Sequence, residues 1–470
     1  MAASASFFTS ACQAADPLTP ERFQARGDGR TDDTRALASM LAALSPGARA
    51  VISRVHKTSE PLVVPRGATI EFARSGKIRY VGAEVALDCS AGGFHLINPR
   101  IQGPGKGPLA ASTVGNGTGI WIDGTWRGAG RSPEYVVGGR IDRPHIYNFP
   151  RSGIETRLWA DGVITAPHIH DCRYAGILNQ NSRGFRGHGP GLIVNIGPSS
   201  SGNAYGHTNT RRTDGVYDRD LVASPRSVNA RVQGWTGRNI PWNAFDTHAG
   251  EDIVYIDCVA EECTFPFGLV GSSGIFGVQR SGLVRPIVRN DPRGRTFALL
   301  RSSVSEGVNP PIVIQGALDG REPATDCFVT DAVLEFTGQD TSNSGCILAS
   351  HTRNLKVSGV RGRGCLKSLI VMHTANQNFL VEDITSVDLG SDSQAAVDVV
   401  TISSKGGGGN EGAVRNVAAE WTGVVDLKHR TRSLVYAGNS ARNAVDANGL
   451  SSRTVPLVGG SGVGLRGSDH

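Results

Sequence analysis

Ile141–Ile154, IDRPHIYNFPRSGI, and Ile164–Ile177, ITAPHIHDCRYAGI, are two copies of one pattern. Displaced by 23 residues, they match at Ile141/Ile164, Pro144/Pro167, His145/His168, Ile146/Ile169, Gly153/Gly176 and Ile154/Ile177. A period in the low twenties, made of short β-prone runs, suits one coil of a parallel β-solenoid. Each coil buries its inward residues only by stacking on its neighbours, about 4.8 Å away. Weaker echoes at Gly282–Asn290, Asn354–Val360 and Asn378–Ile384 carry the pattern along the chain.

Outward from this repeat the chain stays β-rich. Runs such as Leu62–Val64, Ala68–Phe72 and Phe94–Ile97 are cut off by Gly, Pro, Asn or Asp, the punctuation of short strands. Helical spacing is found once. Thr31, Asp32 and Asp33 offer N-cap oxygens, and Leu37, Met40, Leu41 and Leu44 then recur every three or four residues. The spacing predicts a helix over 32–45, placed to cover the open sheet edge at the N-terminal end of the solenoid. The expected fold is all-β, a right-handed parallel β-helix with a short N-terminal capping α-helix. The division expected is a leader at 1–20, a cap at 21–50, the β-helix at 51–455 and a Gly-rich tail at 456–470.

Composition limits the function. The 470 residues carry a net charge of +6, with 41 Arg and only 7 Lys. This is a mild bias rather than a basic stripe for nucleic acid, and nucleic acid is not an expected partner. No run approaches the roughly 18 apolar residues of a membrane span. Eight scattered Cys without a CxxC argue against a zinc ribbon or a dense disulfide framework. They read as small core residues, with room for one or two disulfides. The small residues before Asp16 resemble a cleavage region but lack a basic n-region. A secreted or periplasmic bacterial protein is the expectation.

GDGRTDDTRAL at 27–37 resembles the opening motif GDGxTDDTxAI/L of the pectate-lyase-like superfamily of right-handed parallel β-helix proteins. That grouping contains polysaccharide lyases, epimerases, glycoside hydrolases and phage tailspike depolymerases. The resemblance implies the fold and a carbohydrate ligand, and leaves the reaction open. Asp28, Asp32 and Asp33 read as structural residues of the cap.

The densest chemistry lies between Tyr205 and Phe267. In FDTH, 245–248, Asp246 and His248 stand two apart, so on an extended segment they share a face. A carboxylate beside an imidazole raises its basicity and fixes its tautomer, which equips a general base. The element resembles the F-D-P-H of alginate C5-epimerases, whose Asp and His belong to the catalytic set. Thr247 replaces the Pro here, and the next acidic residue is displaced to Glu251. Arg211, Arg212, Asp214, Tyr217 and Asp218 precede by about one long coil. In this reading His248 is the base and Asp246 orients it. Arg211 neutralises a uronate carboxylate, and Tyr217 protonates the leaving oxygen. Arg212, Asp214, Asp218, Glu251, Trp235 and Trp242 contact the sugars.

The function expected is cleavage of an anionic, uronate-containing polysaccharide by β-elimination. Glycoside hydrolysis by two carboxylates among Asp214, Asp218, Asp246 and Glu251 is the alternative. Their separation would then set the stereochemistry, about 5 Å for retention and roughly 6.5–9.5 Å for inversion. A C5-epimerase, or a non-catalytic glycan-binding or tailspike-like β-helix, stands behind these. No cofactor is required by the motifs, with Ca²⁺ as an admissible one and the metal ligands unknown. The oligomeric state is open between monomer and trimer. Three further histidines, His145, His168 and His170, fall on one face of neighbouring coils. They read either as a ladder of like residues or as a metal site.

Overall fold

The computed structural model describes residues 16–466 except 108–115, 127–130, 198–203, 212–223, 272–275, 291–309, 318–320, 337–344, 366–367, 390–396, 404–408, 423–430, 438–443, 449–457 and 460–464. The chain forms a right-handed parallel β-helix, its strands hydrogen-bonded to those of the preceding and following coils. The 23-residue repeat is the register of that ladder. Ile141 pairs with Ile164, His145 with His168, Ile146 with Ile169 and Ile154 with Ile177.

Each coil contributes to three sheets. The first holds Thr118–Asp123, Ser152–Arg157, Ala175–Gln180, Tyr205–Thr210 and the end of Trp235–His248. The second holds Arg140–Asp142, Val163–Thr165, Arg186–His188, Val228–Gln233 and Glu251–Ile256. The third holds Arg100–Gln102, His145–Tyr147, His168–His170, Gly191–Val194 and the start of Trp235–His248. Trp235–His248 is thus one long strand serving two sheets, bent where its register shifts between Ile240 and Asn243.

The centre is filled by stacked aliphatic columns. Ile101, Ile146, Ile169 and Ile193 form one, and all are fully buried. Each such side chain contributes about 1.5–3 kcal/mol by leaving water. Corners reuse a left-handed residue. Asn98, Arg143, Ala166, Asp257, Arg285, Asp331 and Asp383 turn the chain from the second sheet to the third, with φ between 42° and 56°. Asn and Asp are the non-glycine residues that tolerate this conformation best, which explains the Asn and Asp breaks between the β-runs.

The capping helix, α1, spans Thr34–Ala42 and buries Leu37, Met40 and Leu41 over the first coils. Asp33 ties the cap together. Its carboxylate accepts from the backbone N–H groups of Arg26 and Gly27 and lies 2.8 Å from Nδ1 of buried His56. The N–H groups of Thr31 and Arg30 hold the Asp28 carboxyl down at about 2, and Asp32 accepts from the N–H of Thr34. Leu18, within the expected leader, bridges to Ala50 on the cap. Val458–Gly459 and Leu465–Arg466, within the expected tail, pair with the last long strands. The seven described cysteines are buried, and none forms a disulfide with another described residue. Cys12 lies outside the described residues. Among the described residues no helix is long and apolar enough to cross a membrane.

Candidate active site

On the first sheet, Phe245 points inward and stacks on Phe267 at 5.5 Å. Asp246 therefore points outward, between Thr208 and Gly268 of the neighbouring coils. Thr247 returns inward, donating to the carbonyl of Asn209, and His248 points outward again, beside Thr210 and Val270. Period-two alternation thus places Asp246 and His248 together on the outer face. Oδ2 of Asp246 lies 2.6 Å from Nε2 of His248. Asp246 is fully buried, whereas 26% of the His248 side chain remains exposed.

Neither carboxylate oxygen of Asp246 accepts a hydrogen bond from another described group. A buried carboxylate so placed is stable only if a cation compensates it, and His248 is the group in reach. Burial opposes charge on His248, but the Asp246 charge 2.6 Å away and the backbone at Gly271 outweigh it. The imidazole is left more basic than its ordinary 6.5. The position next to Asp246 on the following coil is Gly268, where a Cβ would stand 3.2 Å from the Asp246 Cβ.

Tyr205 lies edge-on to His248, ring centroids 6.0 Å apart, and Tyr174 lies edge-on to Tyr205 at 5.5 Å. Burial, then the nearby Asp246 charge, push the Tyr205 phenol well above its ordinary pKa. It is a protonated hydroxyl throughout the neutral range. Tyr174, Leu178, Tyr205, Thr208, Thr210 and His248 line a cleft of about 40 Å³, room for a few waters. It admits one substituent of a sugar ring rather than the ring itself.

The outward column through His248 continues coil by coil to Thr210, Gln180, Arg157 and Asp123. Four strand spacings make this roughly 19 Å. At its far end a cavity of about 390 Å³ is lined by residues that include Asp123, Trp126, Arg157, Asn181 and Pro225. Arg157 is paired with Asp123 and lies over the Trp121 ring at 4.7 Å. Along the same face Glu155 is fully buried, held by Arg151 at 2.7 and 3.0 Å, and Arg151 lies 5.3 Å over Tyr174.

The other expected site residues fall elsewhere. Arg211 follows Thr210, and its N–H donates to the His248 carbonyl, so it is a neighbour as expected. Its side chain turns to the corner instead. It is 5% exposed, lies 4.0 Å over the Phe276 ring, and donates from Nε to Ser224. Burial and the Arg226 charge lower its pKa to about 10. The expectation that Arg211 grips a substrate carboxylate is corrected on this ground. Trp235 is corrected too: it is fully buried, packed against Phe185 and His207, above Gly187, where a Cβ would stand 2.6 Å from the indole. Glu251 opens a second-sheet strand and is paired with Arg280, which also binds Asp252 at 3.0 Å. Trp242 stays partly exposed, packed on Phe265 at 4.6 Å and against the Ala175, Leu178 and Tyr205 cluster beside the cleft. Arg212, Asp214, Tyr217 and Asp218 lie outside the described residues.

Sequence reasoning missed Tyr174, Tyr205, Thr208 and Thr210 as cleft residues. The signal was the register. The step from Thr210 to His248 is 38 residues, an enlarged coil, whereas a step of 35 residues would place Arg211 opposite Asp246.

No protein-family model matches the chain, and no curated protein sequence matches it. Solved structures do resemble it. The N-terminal fragment of gene product 12 of bacteriophage Phi29 aligns with a TM-score of 0.53 at 12% identity, covering 91% of this chain and 82% of that one. The Agl-KA catalytic domain aligns with a TM-score of 0.52 at 13% identity, covering 92% and 68%. The A-module of the mannuronan C-5 epimerase AlgE6 of Azotobacter vinelandii aligns with a TM-score of 0.41 at 13% identity, covering 96% and 100%. At these identities the likeness is one of fold, and the fold that the chain shares with the first two is the parallel β-helix.

Proposed function

We propose that the protein is a polysaccharide-active enzyme that cleaves a uronate-containing polymer by β-elimination at the Asp246–His248 cleft. The observation that carries this reading is the fully buried Asp246 carboxylate 2.6 Å from Nε2 of His248, whose imidazole reaches solvent. In elimination a base removes the proton α to the carboxylate, and an acid protonates the departing glycosidic oxygen. His248, made more basic by Asp246, serves as the base. Tyr205, kept protonated by burial, serves as the acid in place of Tyr217. Thr208 and Thr210 supply hydroxyls to the entering substituent, and Trp242 offers a ring face beside the cleft. The outward column toward Asp123 gives the polymer a path across the coils. Arg212, Asp214 and Asp218 stay as proposed substrate contacts.

A carboxylate-pair hydrolase is the second reading: of its candidate partners for Asp246, Asp214 and Asp218 lie outside the described residues and Glu251 is paired with Arg280. Glu155, the nearest other acidic residue in the Asp246 column among the described residues, is three strand spacings away, about 14 Å. That exceeds the roughly 6.5–9.5 Å of an inverting pair. Glu155 is also committed to Arg151.

The test is activity on a panel of acidic and neutral polysaccharides, following unsaturated-uronate absorbance and reducing ends together, for wild type and His248→Ala. Absorbance that grows with wild type and vanishes in the variant is expected. Reducing ends without absorbance would overturn elimination in favour of hydrolysis, and C5 inversion without cleavage would point to epimerisation.

A further inference from the structure

The third sheet carries a histidine cluster that the proposed chemistry does not use. His145 and His168 are paired across adjacent strands, as are Tyr147 and His170. Ile146 and Ile169 between them point inward, so all four rings stand on the outer face. His145 and His168 stack at 4.7 Å with planes 4° apart, and Tyr147 and His170 at 4.9 Å with planes 7° apart. A simple ladder would do no more than this.

Two contacts go beyond a ladder. Nε2 of His145 lies 3.0 Å from Nε2 of His170. On the far side of the His170 ring, Nδ1 lies 2.7 Å from Oδ2 of Asp171. A carboxylate beside Nδ1 accepts a hydrogen bond from Nδ1–H and so leaves the His170 Nε2 lone pair aimed at His145. This is the outer-shell arrangement that orients histidine ligands on metals. One nitrogen from each of the three imidazoles lies within 4.8 Å of the others. Two nitrogens on a tetrahedral zinc with bonds of 2.0–2.1 Å stand about 3.3 Å apart, so His145 and His170 are already near that spacing. His168 is exposed and supplies the third nitrogen of the set.

We propose that His145, His168 and His170 form a binding site for Zn²⁺ or another borderline first-row divalent cation, with Asp171 as the orienting carboxylate. An all-imidazole set selects such ions over Ca²⁺ and Mg²⁺, which need oxygen ligands. Three protein ligands leave the fourth position to water. Binding requires His145 to present the lone pair of Nε2, hence the tautomer with its proton on Nδ1. Lys106, 3.8 Å from Asp171, Arg100 on the preceding coil and Lys77 on the coil before that oppose the ion. Lys77 is engaged with Gln102 at 3.1 Å, and Arg100 donates to the Arg74 carbonyl.

The experiment is calorimetric titration of the full chain, stripped with chelator, with Zn²⁺ alone. One ion per chain is expected. His168→Ala, at an exposed position, should weaken binding at least tenfold, and Asp171→Asn roughly tenfold to hundredfold. The His145→Ala/His168→Ala double variant should abolish it. X-ray absorption on the Zn²⁺-loaded wild type needs no variant and should count three imidazoles. No binding by the wild type, unchanged binding in the double variant, two or fewer imidazoles, or loss of binding only in His248→Ala would each overturn the proposal.

Discussion

His248 and the His145–His168–His170 cluster sit on the outer faces of two sheets of one β-helix, yet the fold treats them in opposite ways. Behind His248 stands a buried carboxylate lacking other described donors, and the imidazole is held above its ordinary pKa. Around His145 stand burial, two further imidazoles and the cations Arg100 and Lys77, which lower its pKa to about 4. The difference comes from what each coil stacks on. Where the repeat is regular, like lands on like and charges of one kind accumulate. Where a coil is enlarged, as between Thr210 and His248, Asp246 and His248 meet Thr208, Thr210 and glycine rather than copies of themselves. The repeat builds the frame, and its interruption creates a site with its own electrostatics.

The largest expected effect breaks one side of that comparison. His248→Ala should lower turnover by about 10²–10⁴-fold, the usual contribution of a positioned base, while far-ultraviolet dichroism stays unchanged. Activity within a few-fold of wild type would remove His248 from the chemistry. On the frame side, Ile169→Ala should cost about 2–5 kcal/mol in denaturant unfolding, because it empties part of a fully buried column. A loss below about 1 kcal/mol would mean the stacked column is not a principal source of stability.

Asp246→Asn sharpens the contrast through pH. The wild-type rate should rise with pH as His248 loses its proton, with a midpoint above 6.5, and the variant's weaker activity should have its midpoint moved to lower pH. The folded pKa is raised, so the His248–Asp246 attraction stabilises the fold fully below pH 6.5 and fades as pH rises through the raised value. The stability of wild type relative to Asp246→Asn should therefore fall over that window, and a flat difference would contradict the pairing. The smallest effect is expected at the rim. Trp242→Ala should raise KM several-fold with kcat nearly unchanged, the roughly 1 kcal/mol of one aromatic contact.

Much of the frame was legible because it is periodic. The one-for-one matches between Ile141–Ile154 and Ile164–Ile177 became paired strands, and the Leu37–Met40–Leu41 spacing became α1. Alternation also placed Asp246 and His248 on one outer face. What failed was register across an insertion. Arg211 was expected to face the cleft, but it begins a corner and packs on Phe276. Trp235 was expected at the surface, but Gly187 on the coil before opens space for its indole in the core. Neither outcome follows from local pattern, because each depends on a residue more than 40 positions away in sequence and one or two coils away in space.

The most direct measurement is the titration of the individual imidazoles by histidine-selective nuclear magnetic resonance, assigned with His248→Ala and His145→Ala. His248 should titrate above 6.5 and move down in Asp246→Asn, while His145 titrates near 4. A His248 that titrates at or below 6.5, or that does not respond to Asp246→Asn, would contradict the claim that a buried carboxylate makes this imidazole the reactive base of the molecule.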